Sequence, residues 1–336
     1  MENPDDDDSA PSASLIPVSV SLAAPTPLGN SLAENPAAVY LTGLAPGSRR
    51  TMREALDTIA GLVSGGRCPD CLRMDWSSLR FTHTAALRAI LADRYSGATV
   101  NKMLSALRGT LKAAWRLGLL SAEEYQRARD INSVSNEVLP AGRSLAAGEI
   151  AALMAACQND GTPALGTRDA AILALLYGCG LRRAEVVALT IADCRISENG
   201  TDLRVQGKRN KQRLVPLTGG AARAVADWLG VRGEVDGPLF NPYRKGGRRQ
   251  PGHLTTQAVY KMLQERARTA GVADFSPHDC RRTFVGDLLD RGADIVTVQK
   301  LVGHANVTTT ARYDRRGEGT KRRAAELLHV PYQSRD

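Results

Sequence analysis

Between residues 202 and 217 of this 336-residue chain the apolar positions switch to a period of two. Leu203 and Val205 alternate with polar neighbours, a polar turn runs from Gly207 to Gln212, and Leu214, Val215 and Leu217 follow. Successive side chains of a strand point to opposite faces, so this stretch predicts a β-hairpin with a basic tip. On both sides of it, apolar residues recur at three- and four-residue spacing, the mark of helices with one buried face. One hairpin among helices predicts a mainly α fold with a small antiparallel β-sheet.

The helical pattern divides the chain. Residues 1–35 are acidic, then rich in Pro, Ser and Ala without a sustained period, which predicts a disordered tail. Residues 36–131 predict an all-helical domain of four helices. Met52, Ala55, Leu56, Ile59, Leu62 and Val63 stripe the first, Phe81 opens the second, and residues 98–117 form the third. Ser121 with Glu124 is a capping box that starts the fourth. Residues 132–144 lose the period and gain Pro140 and Gly142, a linker. The second domain, 145–330, opens with a helix led by Gly148. Thr167 caps a buried helix over 169–178, and another restarts at Arg183. After the hairpin, helices are predicted at 219–230, 255–270, 277–290, 294–301, 306–313 and 318–328. No internal repeat is present.

Charge points to the partner. The first 48 residues carry Glu2, Asp5 to Asp8 and Glu34 and no Lys or Arg, a sum of −6; the total of +9 leaves the rest at +15. A body that basic suits a polyanion, and nucleic acid fits better than a membrane surface. No apolar run approaches the roughly 20 residues that span a bilayer, and the N-terminus lacks the order of a secretory signal. A cytoplasmic protein is expected. Six cysteines, mostly single and apolar in context, suit buried free thiols. Cys68 and Cys71 supply two of the four ligands of a structural zinc, with His83 as a possible third; a local turn is the simpler reading.

Polar groups concentrate on the apolar helices of the second domain. Arg182 and Arg183 stand where a buried helix ends, and Lys208 and Lys211 sit on the hairpin tip. His278 and Arg281 are spaced i, i+3, which puts their Cβ atoms on one helix face roughly 5–6 Å apart. His304 follows Gly303, and Tyr313 lies nine residues on. Guanidinium forks match the non-bridging oxygens of a phosphodiester and can neutralise a pentacoordinate transition state. A lysine can protonate an alkoxide leaving group, and an imidazole can take the nucleophile's proton. A tyrosine hydroxyl, with an unperturbed pKa of about 10, becomes a competent nucleophile beside cations. The set suits phosphoryl transfer without a metal.

In order and spacing these residues resemble the tyrosine recombinase (phage integrase) family, Xer-type members included. Gly180-Leu181-Arg182 with Glu185 is similar to the first box of that family, and Gly207-Lys208 with the stretch to Leu217 to its lysine hairpin. His278 with Arg281, then Gly303-His304, then Tyr313, complete the series. Ala184, Val302 and Cys280 depart from the family pattern, all at flanking positions. The resemblance covers 145–330 and, more loosely, the helices before it.

The resemblance implies a C-shaped clamp of a helical core-binding (SAM-like) domain and a catalytic domain. It implies that Tyr313 attacks the scissile phosphate to form a 3′-phosphotyrosyl link and a free 5′-hydroxyl. Arg182, Arg281 and His304 would stabilise the transition state, and Lys208 would protonate the 5′-oxygen, with Lys211 its rival. His278 would take the proton or bind the phosphate, and Glu185 would support. No cofactor, ATP or metal, is implied. Further DNA contacts are expected from Arg49, Arg50, Lys102, Arg108 and Lys112, and from Arg183, Arg244, Lys245, Arg248, Arg249 and Arg282. The implied partner is double-stranded DNA with core recombination sites. The implied assembly is a homo-tetramer on two duplexes through exchange of the C-terminal helix. A sister recombinase or an accessory DNA-bending protein could join it. The expected function is site-specific recombination for integration, excision or resolution. The alternatives are a type IB topoisomerase-like enzyme and a DNA-binding protein that has lost catalysis.

Overall fold

A computed structural model describes residues 32–135, 142–197, 200–207, 211–244, 247–314, 316, 325–328 and 331–332. The chain forms two units, Met1–Val138 and Leu139–Asp336. In the first, the apolar stripe of α4 (Gly97–Arg116) is the axis. Around it pack α1 (Pro36–Thr42), α2 (Pro46–Val63), α3 (Phe81–Arg94) and α5 (Ala122–Arg129). Leu56, Ile59, Leu91, Leu104, Leu107 and Leu111 are fully buried between them. Gly109 lets Tyr40 of α1 lie directly on α4, since a Cβ there would sit 2.2 Å from its ring. The capping box of Ser121 and Glu124 is formed.

The cysteines of 68–71 are a turn within the core. Cys71 N–H donates to Asp57 (2.8 Å), and the Cys71 carbonyl accepts from the Trp76 indole (2.8 Å). His83 is engaged elsewhere, accepting the backbone N–H of Arg80 at the start of α3.

The second unit is built on α7 (Pro163–Gly178), which packs against α6 (Ala147–Gln158), α9 (Gly219–Arg232) and α11 (Pro277–Asp290). Residues from Ala171 to Leu176 of α7 are at most 2% exposed. The sequence pattern placed this helix over 169–178 with Thr167 as its cap, but it begins six residues earlier, at Pro163. Gly166, in the added stretch, is a packing position: a Cβ there would lie 2.1 Å from the Cys157 carbonyl of α6. Asp169, one turn further on, takes both Arg168 and Arg266 at 2.6–3.0 Å. Charges this deeply buried are tolerated only when paired.

The short helix α8 (Arg183–Ala188) leads into a three-stranded antiparallel sheet, ordered β1 (Cys194–Ser197), β2 (Gly200–Gln206), β3 (Gln212–Leu217). The hairpin is β2–β3, with Leu203 opposite Val215 and Gln206 opposite Gln212. Strand β1 was not foreseen, because four residues are too few to display a period. Helices α10 (Thr256–Ala270), α12 (Ile295–Val302) and α13 (Val307–Ala311) complete the unit. Residues 1–31 of the expected tail and most of the expected helix at 318–328 fall outside the described residues, as do 136–141 of the linker. The last residues called tail are ordered, with Leu32–Glu34 in a 3-10 helix and Asn35 capping α1. No helix among the described residues is long and apolar enough to cross a membrane.

Candidate active site

Helix α11 starts with Ser276 as N-cap and Pro277 in its first turn, and Asp279 returns its carboxylate to Ser276 N–H and Oγ (2.8 Å each). That box fixes the turn carrying His278 and Arg281. Arg281 is 2% exposed and donates to the carbonyls of Gly180 and Val302 at 2.6 Å each. Gly180 has φ +60°, and a Cβ there would meet Phe284 at 2.3 Å. Only glycine therefore allows this carbonyl to reach Arg281.

Arg182 is the N-cap of α8, where Glu185 accepts its backbone N–H and its guanidinium (2.8 Å each). The guanidinium also reaches the Gly303 carbonyl at 3.2 Å. Glu185 is buried and accepts a second fork from Arg213 of β3 at 3.0 and 2.8 Å. Burial alone would raise the Glu185 carboxyl, but Arg213 and the Arg182 backbone outweigh it and hold the carboxyl below its usual range.

The chain leaves α12 through Gly303, a left-handed C-cap (φ +65°), straight into His304. Gln299 donates to the His304 carbonyl (3.0 Å), and the ring Nδ1 pairs with Oγ1 of the fully buried Thr310 (3.0 Å). Tyr313 follows α13. Its hydroxyl lies 2.9 Å from His278 Nε2, its ring stacks 6.2 Å from that of His304, and the Arg282 guanidinium sits 5.6 Å from the ring centre.

So many cations shift one another. Burial first, then Arg281 and Arg182, press His304 down to about 4. Desolvation and the Arg281 and Arg282 guanidinia hold His278 below its usual value. Both imidazoles are neutral at pH 7. Burial and Arg182 bring Arg281 down to about 9, which leaves it charged. Two open cavities share Arg182. One of about 480 Å³ is lined by Lys211, Arg213, Lys300 and His304, and one of about 430 Å³ by Arg183, Tyr260, His278 and Arg281. Fixed guanidinium donors beside a hydroxyl paired with a neutral imidazole can hold an anion and deprotonate the hydroxyl against it.

Of the residues singled out in the sequence, Arg182, Glu185, His278, Arg281, His304 and Tyr313 come together here. Lys208 and Lys245 lie outside the described residues. Lys211 lines the larger cavity, Arg183 the smaller, and Arg282 flanks Tyr313. Arg244 and Arg248 are exposed, while Arg249 donates to the Arg232 carbonyl. In the first unit Lys102 and Lys112 are exposed on α4. Arg49 donates to the carbonyls of Leu44 and Thr42, Arg50 pairs with Glu54, and Arg108 donates to the Ile131 carbonyl. Sequence reasoning missed Arg213, Gln299, Lys300 and Thr310. Arg213 had a signal: it shares the inward face of β3 with Val215 and Leu217.

The profile of the phage integrase family matches residues 143–318, which contain the whole site. The tyrosine recombinase XerC of Chromohalobacter salexigens is 42% identical over 161 residues, 47% of this chain and 51% of that relative, so the match spans about half its length. The tyrosine recombinase XerD of Lacticaseibacillus casei is 35% identical over 231 residues, 66% of this chain and 73% of the relative. The solved Tn1549 transposon integrase, in complex with a circular intermediate DNA, superposes with a TM-score of 0.64 at 15% identity. It covers 88% of this chain and 99% of that one, and speaks for the fold alone. With the family profile spanning more than half of the chain, and XerD matched over most of its own length, this chain belongs to the phage integrase family of tyrosine recombinases.

Proposed function

We propose that Tyr313 is the nucleophile of a site-specific DNA recombinase whose phosphate clamp is Arg182, Arg281 and His304. Tyrosine recombinases cleave and rejoin DNA. The observation that carries the assignment here is the 2.9 Å contact of Tyr313 Oη with a neutral His278, beside two anchored guanidinia. In the proposed step the Tyr313 oxygen bonds to phosphorus, its proton passes to His278 Nε2, and the bond from phosphorus to the 5′-oxygen breaks. Lys208 gives that oxygen its proton, leaving a 3′-phosphotyrosyl ester and a 5′-hydroxyl. The ester conserves the bond energy, so attack by a 5′-hydroxyl rejoins a strand.

Arg182 and Arg281 receive the charge of the non-bridging oxygens. In the tautomer whose Nδ1 accepts from the Thr310 hydroxyl, His304 keeps Nε2–H to donate to one of them. The partner is duplex DNA, to which the helical unit offers Lys102 and Lys112 and the catalytic unit Arg183, Lys211, Arg244 and Arg248. The proposed assembly is a homo-tetramer on two duplexes, joined through the segment after Tyr313.

Tyr313→Phe tests the reading on a nicked suicide substrate. Covalent protein–DNA adducts should vanish while DNA binding persists. Adducts that form at the wild-type rate would assign the nucleophile elsewhere.

A further inference from the structure

We propose that Arg213 is a positioning residue of the recombination site, locking Arg182 and the hairpin into one rigid unit. The proposal rests on Arg182 being part of the phosphate clamp. In β3 Arg213 lies on the same pleat face as Val215 and Leu217, which are 1% and 5% exposed. A guanidinium placed there has to be paired. Its fork closes on the buried Glu185 carboxylate with two bonds of 2.8 and 3.0 Å, and its Nε donates to the Leu301 carbonyl at 2.9 Å. Glu185 spends its remaining capacity on Arg182, accepting the backbone N–H and Nη1 at 2.8 Å each. The carboxylate therefore relays the placement of Arg213 to Arg182.

The second anchor is the C-terminal end of α12. Three consecutive carbonyls there accept from three different guanidinia: Leu301 from Arg213, Val302 from Arg281 and Gly303 from Arg182. The negative end of the helix and Glu185 together hold three like charges that would otherwise repel. Gly303 is part of the fit, because a Cβ would approach Arg213 at 3.1 Å. Arg213 thus has each of its three side-chain nitrogens bonded to the protein and orients the group that meets the phosphate. It stands two residues after Lys211, so it also ties the hairpin tip to that group.

The test is single-turnover cleavage of two suicide substrates, one with an ordinary scissile phosphate and one with a neutral methylphosphonate at that position. A guanidinium clamp speeds the first far more than the second, because only the phosphate carries the charge it neutralises. Arg213→Lys keeps the charge but loses the fork, and Arg213→Met loses both. Each should slow phosphate cleavage roughly 10- to 100-fold, the scale of an ångström-sized misplacement. Methylphosphonate cleavage should slow much less, so the ratio of the two rates falls toward that of Arg182→Ala. Glu185→Gln, nearly isosteric, should reproduce the fall in ratio if the Arg213 variants do not fold. A purely structural loss would slow both substrates alike, and a ratio unchanged from wild type in the folded variants overturns the proposal. If Arg182→Ala itself leaves the ratio unchanged, the clamp assignment fails instead.

Discussion

The depressed His304 imidazole makes stability depend on pH, and the size of the effect follows from the site. Its folded value is about 4 against the usual 6.5, through burial and the Arg281 and Arg182 guanidinia. Below about 6.5 the unfolded chain binds a proton that the folded chain refuses, so acid favours unfolding. The contribution is present in full above the unfolded value and is lost as pH falls toward the folded one. One pKa unit corresponds to about 1.4 kcal/mol, so the complete loss is about 3 kcal/mol, and about 2 kcal/mol has gone by pH 5. Urea unfolding at pH 7 and pH 5, for wild type and His304→Gln, isolates the term, because contributions from groups away from the site, those of the helical unit included, cancel in the difference. The variant should lose about 2 kcal/mol less than wild type between the two pH values. A phosphodiester in the clamp opposes the guanidinia, so cognate DNA should raise stability more at pH 5.5 than at pH 7.5. Equal pH dependence in wild type and variant would refute the claim that this site holds the imidazole neutral.

Gly180→Ala should cost roughly 2–4 kcal/mol in urea unfolding, combining a left-handed backbone with overpacking against Phe284. It should also slow cleavage by moving the carbonyl that anchors Arg281, and a loss below about 1 kcal/mol would contradict the packing argument. Asp279→Ala should remove about 1 kcal/mol with the capping box, and a further part with its bond to Arg143 N–H. Cleavage should slow while DNA affinity holds, since Asp279 lies between His278 and Arg281 on the turn it caps. Unchanged thermal stability would show that the cap is not formed.

The fold was legible wherever one local rule governed a whole element. The period-two stretch became β2–β3, and the stripes over 50–63 and 98–117 became α2 and α4. Failures came where a tertiary contact set the local choice. The first turn of α7 was not foreseen because one contact that fits it, Gly166 against the Cys157 carbonyl of α6, belongs to another helix. At Cys68–Cys71 the turn expected from the sequence is present, but spacing carries no record of Asp57 and Trp76, which fill its hydrogen bonds.

The site divides along the same line. The groups proposed to react were legible because phosphoryl transfer favours a few residue types and the family resemblance supplies their order: Arg182, His278, Arg281, His304, Tyr313. The groups that hold those residues were not, because many side chains can cap, brace or fill. Arg213 lies between the two cases. Once Val215 and Leu217 face the core, alternation sends Arg213 inward, and a guanidinium sent inward requires a carboxylate. Glu185, already marked as support for Arg182, is one candidate acid, although Asp193, Glu198 and Asp202 stand closer in the chain. The fold selects Glu185, and that pairing links the hairpin to Arg182. What no pattern could supply is the third element, the carbonyls at the end of α12. Every helix presents carbonyls at its C-terminus, and only the fold decides which arginines arrive there.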